Sequence, residues 1–142
     1  MLLADVNVLV NAHRQDGDRH DDYRQWLSGV VNDDEPYAVS DFVVNGFLRI
    51  VTNRRIYKEP SGLADALGFA TQVRNQPHAV VIAPGMRFWD IFIRLSQQVD
   101  AKAKLVPDAY LAALAIEHGC EFVSADRDFA RFPGLRWRHP LN

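Results

Sequence analysis

Three aspartates stand where a strand would end or a helix begin. Asp5 closes the apolar run Leu2-Leu3-Ala4, Asp108 follows Pro107 at the start of the alanine-rich stretch Ala109–Ile116, and Asp126 ends the run Glu121-Phe122-Val123-Ser124-Ala125. In an open α/β sheet these positions lie at the carboxyl edge, where ligands bind. Carboxylates gathered there without basic partners repel one another, and the usual reason to collect them is a hard divalent cation with oxygen ligands. Simpler roles compete with this one. Asp108 would complement the dipole of a helix N-terminus, Asp126 would cap the turn Arg127–Phe132, and Asp128 could take the place of Asp126 as the chemically active acid. Asp5 is harder to explain away, because a carboxylate at the end of a buried first strand is costly unless it is paired.

Hydrophobic periodicity supplies the elements that must position these acids. Leu2–Val6 reads as a buried strand and Asn7–His13 as a short helix entered directly from it. Tyr23, Trp26, Leu27, Val30 and Val31 form one helical stripe. Pro36–Val39 reads as a strand, and Ser40 as the N-cap of a helix whose rows Val43, Phe47, Ile50 and Val44, Leu48, Val51 face the core. Pro60-Ser61-Gly62 punctuates the chain before a helix over Leu63–Arg74. Ala79–Ala83 is an unbroken run that reads as a strand buried on both faces. Phe88, Phe92, Leu95 and Val99 carry the next helix, and Pro107 sits in the first turn of the one after it. Gly119 ends that helix, Glu121–Ala125 is a strand, and Leu135–Arg138 reads as a short last one. Strands alternate with helices throughout, which predicts α/β architecture: a parallel sheet of four to five strands with helices on both sides, in one domain over residues 1–142.

The sequence has 142 residues with a formal charge of −2, and no stretch approaches the roughly 20 apolar residues of a membrane span. With no basic, cleavable leader at its start, the chain is expected in the cytoplasm. The single cysteine, Cys120, excludes an internal disulfide and a cysteine-based zinc cage, and its setting suggests a small packing residue. His13, His20, His78, His118 and His139 show no ligand spacing, and Trp26, Trp89 and the phenylalanines read as core. The near-neutral charge hides basic clusters: Arg14, Arg19 and Arg24; Arg54, Arg55 and Lys58; and Arg127, Arg131, Arg136 and Arg138. A basic rim around an acidic centre is therefore as consistent with the total as a set of solvated faces.

The first strand turn reads Asp5-Val6-Asn7-Val8, without the glycines of a dinucleotide fingerprint, and no phosphate-binding P-loop is present. The pair Asp5 and Asn7 is similar to the paired aspartates of phosphatases, but Asn7 lacks the second acid. Four segments, Asp5–Val10, Gly46–Asn53, Pro107–Ala115 and Ser124–Phe129, together resemble the PIN-domain ribonucleases, above all the VapC toxins of bacterial toxin–antitoxin pairs. The resemblance spans the chain in order. It implies a PIN-like, Rossmann-like sheet and an endoribonuclease dependent on Mg²⁺, with Mn²⁺ as a substitute, that acts on structured RNA such as tRNA or ribosomal RNA. It also implies a homodimer and a VapB-type antitoxin that blocks the site. Asp5 and Asp108 would be the principal metal ligands, Asp126 the acid that holds or orients the ion, and Asn7 a neutral hydrogen-bonding neighbour.

One departure stands out. Relatives usually carry a glutamate in the helix after the second strand, and Gly46 occupies that place, beside the uncharged Asn45. The loss leaves open whether one ion or two are held, and it keeps two rival readings alive. One is a phosphomonoesterase on a similar sheet; the other is a catalytically silent domain that only binds a partner or RNA.

Overall fold

The computed structural model describes residues 1–142. Its elements follow in the order β1 (Leu2–Ala4), α1 (Val6–His13), α2 (His20–Val31), β2 (Tyr37–Ser40), α3 (Asp41–Val51), α4 (Leu63–Arg74), β3 (Ala79–Ile82), α5 (Phe88–Gln98), α6 (Leu105–Glu117), β4 (Glu121–Val123), a turn of 3₁₀ helix (Arg127–Arg131) and β5 (Trp137–Arg138). The five strands form one parallel sheet in the order β3-β2-β1-β4-β5. The expected α/β architecture is thus present, with the upper of the two expected strand counts.

The chain winds outward from β1 through β2 to β3, then returns to add β4 and β5 on the other side of β1. The winding direction therefore reverses between β1 and β4, and the carboxyl ends of these two strands frame the crevice that such a reversal leaves open. The helices sort accordingly: α1 packs with α2 and α3, α3 with α4, and α5 with α6. Beneath them lies a single core cluster in which Phe47, Phe122, Phe129, Leu95 and Leu114 are almost wholly excluded from solvent.

Local sequence explains the element ends that matter. The first strand stops at Ala4, two residues short of the expected Val6, because the Asp5 carboxylate accepts the Val6 N–H at 2.7 Å and starts α1 at once. Ser40 both ends β2 and caps α3, its hydroxyl accepting the Val43 N–H at 3.4 Å. Of the two expected rows of α3, Val43, Phe47 and Val51 are buried, and Val44, Leu48 and Ile50 pack partly against the core. At the end of α6, Gly119 adopts φ +67°, while the Cys120 N–H bonds to Ala115 O and the Gly119 N–H to Ile116 O. This left-handed closure satisfies the last carbonyls of the helix and delivers the buried Cys120 directly into β4.

Two expectations fail. The run Ala79–Ala83 was expected to be covered on both faces, yet Val80 and Val81 are 40% and 43% exposed. The strand is an edge with β2 as its only partner, so its β-branched run reflects pairing rather than double burial. Trp89 and Phe42, both expected in the core, are 62% and 42% exposed, on α5 and α3. No helix is long and apolar enough to cross a membrane.

Candidate active site

The strand register builds the site. In the parallel pair β1 and β4, Ala4 faces Val123, and the Asp5 N–H continues the ladder to Val123 O at 2.9 Å. The next residues, Asp5 and Ser124, therefore emerge side by side at the carboxyl ends. Ser124, fully buried, donates its hydroxyl to Asp5 Oδ2 at 2.7 Å and accepts the Asp126 N–H at 3.0 Å. Asn7, in the first turn of α1, donates to the same hydroxyl oxygen at 3.1 Å and accepts the Ala125 N–H at 3.1 Å. These bonds tie the first expected acid to the third. Asp126 also caps the 3₁₀ turn, with Oδ1 accepting the Asp128 N–H at 2.9 Å, so its capping role is real. Its other oxygen faces Lys104 Nζ at 3.4 Å. Asp128 lies slightly further from the same ammonium, at 3.6 Å.

Asp108 comes from the third direction, in the first turn of α6. Together with Asp5 it lines an open cleft of about 760 Å³, bounded on the far side by α3. Its side chain makes no hydrogen bond, and its Oδ2 is buried without any partner. A helix-dipole role would account for the residue's place near an N-terminus but leaves this oxygen unexplained. Burial, reinforced by the fields of Asp126 and Asp5, raises the Asp108 carboxyl to about 6 from an ordinary 3.8. Burial likewise raises Asp5, which is only 7% exposed, against the opposing hydrogen bonds from Ser124 and Val6. The Lys104 ammonium is raised as well, held protonated first by Asp126 and then by Asp108 and Asp128.

Asp5 and Asp108 thus share one cleft, and Asp126, outside its lining, shares their electrostatic field. No three His, Cys, Asp or Glu side chains close into a preformed metal cage. The donors are nevertheless all oxygen and include an orphaned buried carboxylate oxygen, and this suits a hard cation such as Mg²⁺ that keeps several waters in its shell. The α3 wall presents Phe42, Asn45, Gly46 and Arg49, one helical stripe beside the apolar one. Gly46 does face the cleft. A Cβ there would approach Val6 Cγ2 to 3.0 Å, so the absent side chain lets α3 pack closely on the first turn of α1.

Several groups here escaped the reading of the sequence. Ser124 was merely part of a strand, and nothing local marks its hydroxyl as the link between Asp5 and Asp126. Lys104 and Arg49 carried no spacing signal, although Arg49 falls on the polar stripe of α3. Of the basic clusters, Arg14 proves structural: it pairs with Asp16 at 2.6 Å and lies over the Tyr57 ring at 3.9 Å. Arg19 pairs with Asp22, Arg138 with Glu121, and Arg136 donates to Gly119 O.

The raised acids make a signed prediction. Asp108 binds its proton more tightly in the folded chain than in the unfolded one, so its contribution to stability is fully present below about pH 4 and is lost as pH rises through about 6. Asp5 acts in the same direction. In chelator, the melting temperature of the parent minus that of Asp108→Asn should fall across this window and then level off. A difference independent of pH would show that Asp108 is solvated like an ordinary surface carboxylate.

Comparison with known proteins agrees with this arrangement. The PIN domain family profile matches residues 2–135. The chain is 49% identical over 142 residues to Ribonuclease VapC43 of Mycobacterium tuberculosis, covering 100% of this chain and 97% of that protein. It is 45% identical over 140 residues to Ribonuclease VapC25 of the same organism, covering 99% of each. Among solved structures, VapBC2 from Rickettsia felis bound to a DNA fragment from their promoter gives a TM-score of 0.68 at 15% identity, covering 97% of each chain. The Mycobacterium tuberculosis Sarcin-Ricin loop cleaving toxin VapC20 also gives 0.68 at 15% identity, covering 96% of this chain and 99% of that one. The fold matches in both, and the full-length sequence matches with the family profile assign the chain: it belongs to the PIN domain family, among the VapC ribonucleases.

Proposed function

We propose that this chain is the toxin of a VapBC-type pair, a Mg²⁺-dependent endoribonuclease that cuts structured RNA such as tRNA or ribosomal RNA in the cytoplasm and so stops translation. The observation that carries the metal is the buried, unpartnered Asp108 Oδ2 in an all-oxygen cleft. Asp5 and Asp108 would hold the ion, with Asp126 orienting it and Mn²⁺ able to replace it. When bound, such an ion polarises a phosphoryl oxygen and lowers the pKa of a water for in-line attack. The chain supplies the rest. Val6 N–H and the Ser124 hydroxyl fix the plane of the Asp5 carboxylate, Asn7 locks the Ser124 segment against α1, and Lys104 offsets the charge of Asp126. The sarcin-ricin loop named for one structural neighbour and the antitoxin-bound state of another support the substrate class and a VapB-type partner.

Cleavage of total tRNA and ribosomal RNA by the purified protein in Mg²⁺, with and without Asp5→Asn and Asp108→Asn, tests this reading. Removing a ligand should cost about a hundredfold or more in rate, since metal assistance supplies several kcal/mol of transition-state stabilisation. Both variants should keep the parent's circular dichroism. Cleavage that survives either substitution, or survives chelator, would contradict the assignment.

A homodimer is also proposed, supported by the apolar side chains left open on the edge strand and the segment after it: Val80, Val81, Met86 and Trp89. A free strand edge beside exposed apolar side chains is usually covered. Light scattering should give about twice the 16.1 kDa chain mass for the parent and the single-chain mass for Trp89→Glu. A variant that stays dimeric would place the interface elsewhere.

A further inference from the structure

We propose that Arg49 is the residue that grips the RNA backbone beside the acids, and that it hands the strand on to the basic turn after α3; this rests on the ribonuclease reading. Among the residues lining the cleft with Asp5 and Asp108, Arg49 is the only cation. It is exposed, and it makes no ion pair and no hydrogen bond. Half of the twelve other arginines are engaged: Arg14 with Asp16, Arg19 with Asp22, Arg74 with Asp41, Arg138 with Glu121, and Arg87 and Arg136 with main-chain carbonyls. Within its own stripe, the residue one turn before it is Gly46, which has no side chain to reach back. A free guanidinium is thus left facing a carboxylate-lined cleft, where its planar fork matches a phosphodiester and not another cation.

The sequence beyond Arg49 continues the same charge. Arg54, Arg55 and Lys58 are exposed and unpaired, in a turn closed by the Ile56 and Tyr57 N–H groups on Asn53 O and the Arg55 N–H on Asn53 Oδ1, and joined to α3 by the Asn53 N–H on Ile50 O. Arg14 clamps the turn from the other side through its contact with the Tyr57 ring. Along the chain the cations therefore follow one another from the cleft-lining part of α3 past its C-terminal end. A strand whose reacting phosphate lies over Asp5 and Asp108 would place its next phosphate on Arg49 and later ones on this turn. Arg49 is also in the last turn of α3, where a purely structural cation would complement the helix dipole.

The experiment separates these roles. Arg49→Ala, Arg49→Lys and the parent are compared in KM and kcat for cleavage of a fluorescein-labelled RNA oligonucleotide in Mg²⁺, in the salt dependence of binding the same RNA in chelator, and in thermal melting. Arg49→Ala should raise KM about tenfold, as expected for a charged hydrogen bond, and flatten the salt slope by about 0.7 for one lost phosphate contact. Its kcat and melting temperature should stay close to the parent. Arg49→Lys should restore the salt slope and only part of KM, because a point charge lacks the fork. If the parent cleaves and Arg49→Ala matches it in KM and slope, the assignment falls while the ribonuclease reading stands. A lowered melting temperature with unchanged RNA affinity would likewise overturn it in favour of the helix-dipole role. A parent that neither binds nor cleaves RNA would remove the ribonuclease reading, and the assignment with it.

Discussion

Everything around the cleft answers to one constraint: carboxylates brought together in a partly desolvated place must find cations, protons or hydrogen-bond donors. The fold satisfies each acid differently. Asp5 receives the Val6 N–H and the Ser124 hydroxyl, Asp126 caps its own turn and meets Lys104, and Asp108 receives nothing. The unsatisfied member is the informative one. A scaffold that provides donors for two acids and leaves an oxygen of the third bare, with its proton affinity raised, suits the cation that the proposed reading places there.

The reversal of strand order is what makes this gathering cheap to encode. Two acids ride on the ends of adjacent parallel strands and the third on the helix that precedes one of them, so no long loop is required. The α3 wall then sets the character of the cleft. Gly46 lets α3 lie close against Val6, and the space it leaves is bordered by the neutral Asn45 and the free Arg49 rather than by a further acid. The result is a cleft with an acidic floor and a cationic flank, in keeping with a nearly neutral whole chain.

Much of this was legible in the sequence because it is local. An aspartate directly after an apolar run announces a strand end, proline before Asp108 announces a helix start, and the periodicity of α2, α3 and α5 needs no tertiary information. What escaped was non-local. The role of Ser124 depends on pairing with Asp5, 119 residues away, and appears only once the register Ala4 with Val123 is known. The exposure of Val80, Val81 and Trp89 escaped because a β-branched run or an aromatic looks the same at a sheet edge as in its centre. Arg49 lies on a helix whose buried face could be read, whereas the direction of its polar face depends on where α6 is placed by the returning chain.

The central claim is that the orphaned oxygen of Asp108 is a ligand position. Crystals soaked in Mn²⁺ and measured at the metal absorption edge test it most directly. The account predicts an anomalous peak on the cleft floor in contact with Asp108 Oδ2, lost in Asp108→Asn. An empty cleft at millimolar Mn²⁺, with Asp108 still without a partner, would contradict it.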